Sequence, residues 1–148
     1  MLFITKSSEE TRELGKELAK SIQKAPRRRL GALILALYGE LGSGKTTFVQ
    51  GMAKGLGIER RIISPTFVII RSYKVDIKHF YHIDLYRIDG KESIKDLGIE
   101  EIINNPENIV AIEWAEKMIS FLPKSRIDIK FFYENISKRK IEISSVGE

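Results

Sequence analysis

The residues best suited to chemistry form one continuous loop, Gly39-Glu40-Leu41-Gly42-Ser43-Gly44-Lys45-Thr46. It satisfies the phosphate-binding pattern G-x-x-x-x-G-K-[ST] at every fixed position. Glycines let the backbone wrap closely around phosphate oxygens, and N–H groups at a helix N-terminus favour an anion. Lys45 would place a cation on the β- and γ-phosphates, and the Thr46 hydroxyl would enter a Mg²⁺ shell. The loop and Thr47 after it therefore predict a binding site for a nucleoside triphosphate with Mg²⁺.

A Mg²⁺ ion bound beside a triphosphate usually needs a further acidic contact from the end of a neighbouring strand. Two apolar segments end in an acid: residues 109–113 end in Glu113, and residues 80–84 end in Asp84. Ligands of open α/β sheets bind at the carboxyl ends of strands. We expect Glu113 to be the acid on the metal side and Asp84 to orient or activate the attacking water. The alternative for each is a solvated carboxylate just past a strand.

Two further residues have both a chemical and a structural interpretation. Thr66 lies in Ser64-Pro65-Thr66-Phe67, where a threonine can sense the γ-phosphate and close a loop, or can simply belong to a proline-containing turn. His82 could act as a base. Its alternation with Tyr81 and Ile83 favours a packed or hydrogen-bonded histidine within a strand.

The elements that must position these residues alternate between helices and strands. Ser7 and Glu10 form a capping-box pattern before a helix over residues 8–24. The apolar run at 33–38 indicates a strand that is covered on both faces, and 45–56 indicates an amphipathic helix. Further strands are predicted at 67–73, 80–84, 109–113, 126–132 and 140–143, with the last two paired at the sheet edge, and short helices at 92–97, 99–103 and 115–121. One α/β domain over residues 1–148 is the economical interpretation.

Composition narrows the class of protein. The chain has 148 residues, no cysteine and a formal net charge of +5, so disulfides and thiolate metal sites are excluded. No apolar run approaches the roughly 20 residues of a membrane span, and no export signal is evident. We therefore expect a cytoplasmic protein. The positive charge is concentrated in the first half, where it could attract phosphate-bearing partners or form a solvated surface.

Four motifs in order resemble the TsaE family, small bacterial P-loop ATPases needed for threonylcarbamoyladenosine modification of tRNA. They are Tyr38–Thr47, Ser64–Phe67, His82–Arg87 and Ile112–Glu116. The resemblance implies a three-layer P-loop α/β fold with a mixed, mostly parallel central sheet, Mg²⁺ and ATP as ligands, and slow intrinsic hydrolysis. It also implies docking onto the TsaB–TsaD heterodimer, which modifies the tRNA, so that this chain meets tRNA only indirectly.

The resemblance also implies roles for individual residues. Thr46 and Glu113 match the Mg²⁺ ligands, and Lys45 matches the phosphate lysine. Asp84 matches an aspartate of hydrolysis, and Thr66 a switch-like threonine. The segment from Thr5 to Ser8 matches the part of the family that contacts adenine, and Ser137-Lys138-Arg139 loosely matches a C-terminal basic pattern.

Three other functions remain open on the sequence. A small-molecule P-loop kinase would carry an arginine-bearing lid and an acceptor pocket, and no lid-like insertion is evident. A GTP-dependent switch would carry the guanine-specific N-K-x-D stretch, which Asn104-Asn105-Pro106-Glu107 does not match. A nucleic-acid-binding module would use the basic first half and would bind free tRNA with strong salt dependence.

Overall fold

A computed structural model describes residues 1–24, 31–59, 69–76 and 78–146 of the chain. The strands are β1 Leu2–Thr5, β2 Leu33–Tyr38, β3 Ile70–Val75, β4 Lys78–Asp84, β5 Asn108–Glu113, β6 Arg126–Tyr133 and β7 Arg139–Val146. The helices are α1 Ser8–Lys24, α2 Lys45–Gly55, α3 Lys91–Asp96 and α4 Ile99–Ile103, with a 3₁₀ helix at Ala115–Met118. Within the described residues, no helix is both long enough and apolar enough to span a bilayer.

The described strands form one sheet in the order β1-β7-β6-β2-β5-β4-β3. The central strands β6, β2, β5 and β4 run parallel to one another. Antiparallel pairs flank them, with β3 beside β4 at one end and β7 and β1 beyond β6 at the other. The predicted mixed, mostly parallel α/β sheet is therefore confirmed.

Helices cover both faces of the central strands and give three layers. Leu33, Leu35 and Leu37 of β2 pack into the core beneath α1 and α2. Ile34 and Ala36 point the other way, into a second core with α3, α4 and the 3₁₀ helix. Both sets of side chains are fully buried, which explains why the sequence of β2 is apolar at consecutive positions instead of alternating.

Helices α1 and α2 cross at backbone contact, because glycines occupy the crossing point. A Cβ atom on Gly51 would lie 1.9 Å from the carbonyl oxygen of Arg12, and one on Gly15 would lie 2.2 Å from that of Phe48. Gly55 has the same constraint, at 2.5 Å from the carbonyl oxygen of Lys16. The crossing fixes the start of α1 relative to the start of α2, where the loop predicted to bind phosphate ends.

Most predicted elements are present, with differences at the sheet edge. The sequence did not predict β1, which pairs with β7 from Leu2↔Glu142 to Thr5↔Arg139. Strands β6 and β7 are paired as expected, but the prediction that this pair forms the edge was wrong because β1 lies outside it. The predicted helix at 115–121 is a 3₁₀ helix that ends at Met118. The first residues of the strand predicted at 67–73 lie outside the described residues.

Candidate functional site

The loop predicted to bind phosphate joins β2 to α2 with glycines in left-handed conformations. The φ angles of Gly42 and Gly44 are 78° and 106°, values that side-chain-bearing residues rarely adopt. Gly44 is the N-cap of α2 and no side chain caps the helix. The first intrahelical bond runs from the Phe48 N–H to the Gly44 carbonyl at 3.0 Å. The backbone N–H groups before residue 48, in the first turn of α2, therefore have no partner within the helix, which leaves them able to bind an anion.

Lys45 lies inside this loop with only 4% of its surface exposed. Its ammonium donates to the carbonyl oxygens of Gly39 and Glu40, the latter at 2.9 Å. It also lies 4.4 Å from the centre of the Trp114 ring. Burial lowers the pKa of the Lys45 ammonium, and the charge of Glu113 opposes that shift. The buried ammonium thus donates its hydrogen bonds to neutral backbone carbonyls. A negatively charged acceptor could take the place of these carbonyls.

Thr46 and Glu113 meet across the boundary between loop and sheet. Strand β5 runs parallel to β2, and the pairing Leu37↔Glu113 brings this acid to the carboxyl edge next to the loop. The Thr46 hydroxyl lies 3.0 Å from each carboxylate oxygen of Glu113. Glu113 is 3% exposed. The predicted metal-side hydroxyl and acid are therefore brought together by strand order.

Asp84 ends β4 directly beside Glu113, since the two residues are paired in the parallel register. Its carboxylate accepts a hydrogen bond from the Tyr86 N–H at 3.0 Å. Burial raises the pKa of Asp84, the Tyr86 hydrogen bond opposes that, and the charge of Glu113 adds to the rise. An acid with a raised pKa at the end of a strand suits a group that holds or accepts a proton.

His82 is fully buried on β4 and contacts Glu113. Its Nε2 lies 2.5 Å from Oε2 of Glu113, while Nδ1 is buried and has no partner among the described residues. The interpretation of His82 as a hydrogen-bonded strand histidine is confirmed. Its partner could not be read from the sequence, because the pairing of β4 with β5 connects distant segments.

The loop, Thr46, Asp84 and Glu113 line a cavity of about 610 Å³. Its walls are the loop and α2, the start of α1, the ends of β4 and β5, and the β6–β7 turn. The predicted ligand-binding residues that line it are Ser8, Leu41, Gly42, Gly44, Lys45, Thr46 and Thr47, together with Asp84 and Glu113. The cavity therefore gathers most of the predicted site at one edge of the sheet.

Three predicted site residues do not line this cavity, and a fourth lies outside the described residues. The Thr5 side chain is buried, and its hydroxyl bonds to that of Thr11 at 2.7 Å. Thr11 lines the cavity and Thr5 does not, and a ligand contact at Thr5 stays a prediction. Glu40 and Ser43 shape the loop through an N–H to carbonyl bond of 3.1 Å and do not line the cavity. Thr66 lies outside the described residues, and its predicted role stays a prediction.

The start of α1 forms one wall of the cavity. The Glu10 N–H donates to the Ser7 hydroxyl at 3.1 Å, which confirms Ser7 as the capping residue. The Glu10 carboxylate accepts from the N–H of Lys6, at 2.9 Å, rather than from that of Ser7. This departs from a standard capping box and fixes the turn between β1 and α1.

Arg139 is a cavity residue that sequence reasoning included only through a loose motif match. Its guanidinium donates to the Gly42 carbonyl at 3.1 Å and to the Asn135 carbonyl at 2.6 Å. It lies 4.6 Å from the centre of the Tyr133 ring. Arg139 thus ties the β6–β7 turn to the loop predicted to bind phosphate. A stronger sequence signal was not available, because the contact depends on β6 lying next to β2.

The donor set fits Mg²⁺ held together with a triphosphate. Mg²⁺ prefers oxygen ligands and is usually bound by one or two protein groups plus phosphates and waters. Thr46 and Glu113 supply a hydroxyl and a carboxylate next to the loop. Among the described residues, no group of three or more His, Cys, Asp and Glu side chains could form an all-protein metal cage.

Comparisons with known proteins identify the family of this chain. A family model described as threonylcarbamoyl adenosine biosynthesis protein TsaE matches residues 5–141. Curated TsaE proteins from Bacillus subtilis and Nostoc are 39% and 43% identical over 77% of this chain and 70% of each relative. The protein of the same name from Treponema pallidum is 30% identical over 97% of this chain and 100% of its own length.

A solved structure shows the same architecture. The crystal structure of Bacillus subtilis YdiB superposes with a TM-score of 0.76 and 30% identity, over 99% of this chain and 86% of YdiB. The match to the family model and the identities to curated relatives each extend over most of the sequence. The chain belongs to the TsaE family of threonylcarbamoyl adenosine biosynthesis proteins.

Proposed function

We propose that this protein is a Mg²⁺-dependent ATPase that supports threonylcarbamoyladenosine formation in tRNA by acting on the TsaB–TsaD pair. The observation that carries the proposal is the convergence of Thr46 and Glu113, at 3.0 Å, beside the buried Lys45. The names of the curated relatives support the place in tRNA biosynthesis. The partner pair rests on the family resemblance of the motifs.

Binding of the triphosphate would use groups that already point to the loop. Lys45 would transfer its N–H bonds from the carbonyls of Gly39 and Glu40 to phosphate oxygens. The uncapped N-terminus of α2 adds backbone N–H groups aimed at the same anion. These donors are preorganised in a buried environment, where they stabilise charge that develops on the phosphoryl oxygens.

Thr46 and Glu113 would hold Mg²⁺ on the phosphate side of this cavity. When bound, the ion neutralises charge on the transferred phosphoryl group. Asp84, adjacent to Glu113 across the β4–β5 pairing, would orient the attacking water and accept its proton. Its raised pKa makes its carboxylate a stronger base than an exposed aspartate.

The remaining part of the cavity is suited to the nucleoside. Ser7, Ser8 and Thr11 form one wall of hydroxyl groups at the start of α1. A volume of about 610 Å³ lies within the range of roughly 300–1,000 Å³ for small-molecule sites. We assign this wall to the base and ribose, with Thr11 in the place expected for Thr5.

Hydrolysis by the protein alone is expected to be slow. Among the described residues that line the cavity, Arg139 carries the guanidinium, and its N–H groups already bond to the carbonyls of Gly42 and Asn135. An arginine supplied at the transition state accelerates related enzymes by about 10³–10⁵. A partner that adds or orders such a charge would therefore raise the rate.

The test is ATP turnover with and without purified TsaB–TsaD. Lys45→Ala should lower the stimulated rate by about 100-fold or more, as loss of one preorganised donor does elsewhere. Lys54→Ala, which removes an exposed lysine from the same helix, is the matched control and should retain the rate. Turnover that the pair does not change, with ATP still bound, would remove the partner assignment. Phosphate transfer to a small-molecule acceptor would replace the ATPase with a kinase.

A further inference from the structure

We propose that His82 is a positioning residue for Glu113. Its imidazole holds one carboxylate oxygen so that the acid presents a fixed orientation to Mg²⁺ beside Thr46. The inference rests on the proposed function, because it concerns the same metal site. It assigns a role to a buried histidine that the hydrolysis scheme above does not use.

The strand register places His82 within reach of Glu113. His82 and Asp84 are two residues apart on β4 and therefore share a face of the sheet. In the parallel pairing, His82 lies opposite Ala111 and Asp84 lies opposite Glu113, so Glu113 is two residues beyond the partner of His82 on the neighbouring strand. Ala111 belongs to the core beneath α2, so Glu113, two residues on, faces the same helix, which carries Thr46.

The hydrogen bond has a defined direction. A carboxylate can only accept, so the 2.5 Å contact requires a hydrogen on Nε2 of His82. Nδ1 is buried and without a partner among the described residues. A hydrogen on Nδ1 instead would bury an unpaired N–H and set two acceptors face to face. The geometry therefore selects the Nε2–H tautomer.

This bond supplies an orientation that Thr46 cannot supply alone. The Thr46 hydroxyl has one hydrogen, yet it lies 3.0 Å from both oxygens of Glu113, so it does not choose between them. His82 contacts Oε2, and its ring is 0% exposed, so the contact is fixed by packing. Partners that orient a metal ligand in this way typically contribute 10- to 100-fold in metal affinity.

The test measures how Mg²⁺ changes ATP affinity. The ATP dissociation constant is determined in EDTA and across a Mg²⁺ titration, for wild type, His82→Leu and His82→Gln. We expect the ATP dissociation constant of His82→Leu in EDTA to equal that of wild type. The variant should need an Mg²⁺ concentration about 10- to 100-fold higher for Mg²⁺ to have its full effect on ATP affinity. His82→Gln retains an N–H donor at similar reach and should recover most of that loss. His79→Leu, on the same strand outside the cavity, is the matched control.

A merely structural histidine would give a different result. If His82 acts through Glu113, adding His82→Leu to Glu113→Gln should not raise the Mg²⁺ requirement further, because the acid it orients is already gone. Additive losses, or a His82→Leu variant with wild-type Mg²⁺ dependence, would overturn the inference. If His82→Leu does not fold, ¹⁵N spectra of wild-type histidine decide: a proton on Nε2 supports the inference, and an Nε2 without a proton overturns it.

The same data separate this inference from the proposed function. Wild-type protein that binds no ATP, or a Glu113→Gln variant with unchanged Mg²⁺ dependence, would remove the metal site itself. A Glu113→Gln variant that loses Mg²⁺ dependence while His82→Leu keeps it would leave the function in place and remove only the role of His82.

Discussion

Replacement of Gly51 by alanine tests whether the α1–α2 crossing supports the cavity. The added Cβ would lie 1.9 Å from the Arg12 carbonyl oxygen, 2.6 Å from its carbon and 2.8 Å from its Cα. All three are backbone atoms, so no side-chain rotation relieves the overlap. An ordinary contact begins near 3.4 Å, so the two helices must separate by about 1.5 Å at this point or distort.

Two effects of opposite sign compete in this variant. Alanine is favoured over glycine by about 1 kcal/mol in a helix interior. Overpacking a buried contact costs about 1–3 kcal/mol, and a clash with three backbone atoms belongs at the upper end. We expect the Gly51→Ala variant to lose about 2 kcal/mol of unfolding free energy, equivalent to a Tm lower by about 6 °C in a chain of this length.

Thermal unfolding by circular dichroism is the assay, with ATP affinity as the second measurement. Glu13→Gly and Glu13→Ala change an exposed position of α1. The difference between their Tm values gives the contribution of helix propensity without a clash. Separation of the helices should also weaken ATP binding, because residues of both α1 and α2 line the cavity. A Gly51→Ala variant with a Tm equal to or above that of wild type would show that the helices do not meet at backbone contact.

Two further predictions concern the end of β4 and the loop that follows it. Burial raises the pKa of Asp84 above its ordinary 3.8, so its ionised form destabilises the folded state at neutral pH, and this effect disappears below the unfolded pKa. Asp84→Asn should therefore raise the Tm at pH 7.5, and this increase should shrink towards zero below about pH 4. The same variant should slow hydrolysis by about 100-fold or more. A lower Tm at pH 7.5 would contradict the burial argument. Lys117 donates to the carbonyls of Tyr86 and Ile88, the latter at 3.1 Å, and Lys117→Met should lower kcat while ATP affinity in a binding titration is retained. Equal loss of both would place Lys117 with the binding groups.

Local patterns predicted the parts of the site that lie within one segment. The loop from Gly39 to Thr46 carries its own motif, and apolar runs identified the strands that end in Glu113 and Asp84. Each of these features depends on residues close together in sequence, so pattern and spacing are sufficient.

The parts that were missed depend on pairing between distant segments. Strand β1 is only four residues long, and its register with β7 connects the two ends of the chain. The contact of His82 with Glu113 depends on β4 lying beside β5, and that of Arg139 with the loop depends on β6 lying beside β2. The glycines inside α1 and α2 are a sequence signal that no prediction used, since glycine inside a helix costs stability unless close packing requires it.

The position of Trp114 gives the protein an internal optical reporter. Trp114 is the single tryptophan of the chain, and its indole lies 4.4 Å from the Lys45 ammonium and 5.2 Å from the Tyr86 ring. Indole emission responds to a nearby charge, so movement of Lys45 from backbone carbonyls to a phosphate would change the fluorescence without any added dye. Binding of a triphosphate by the loop, as proposed, and its rates of association and dissociation would then be followed by exciting one native side chain.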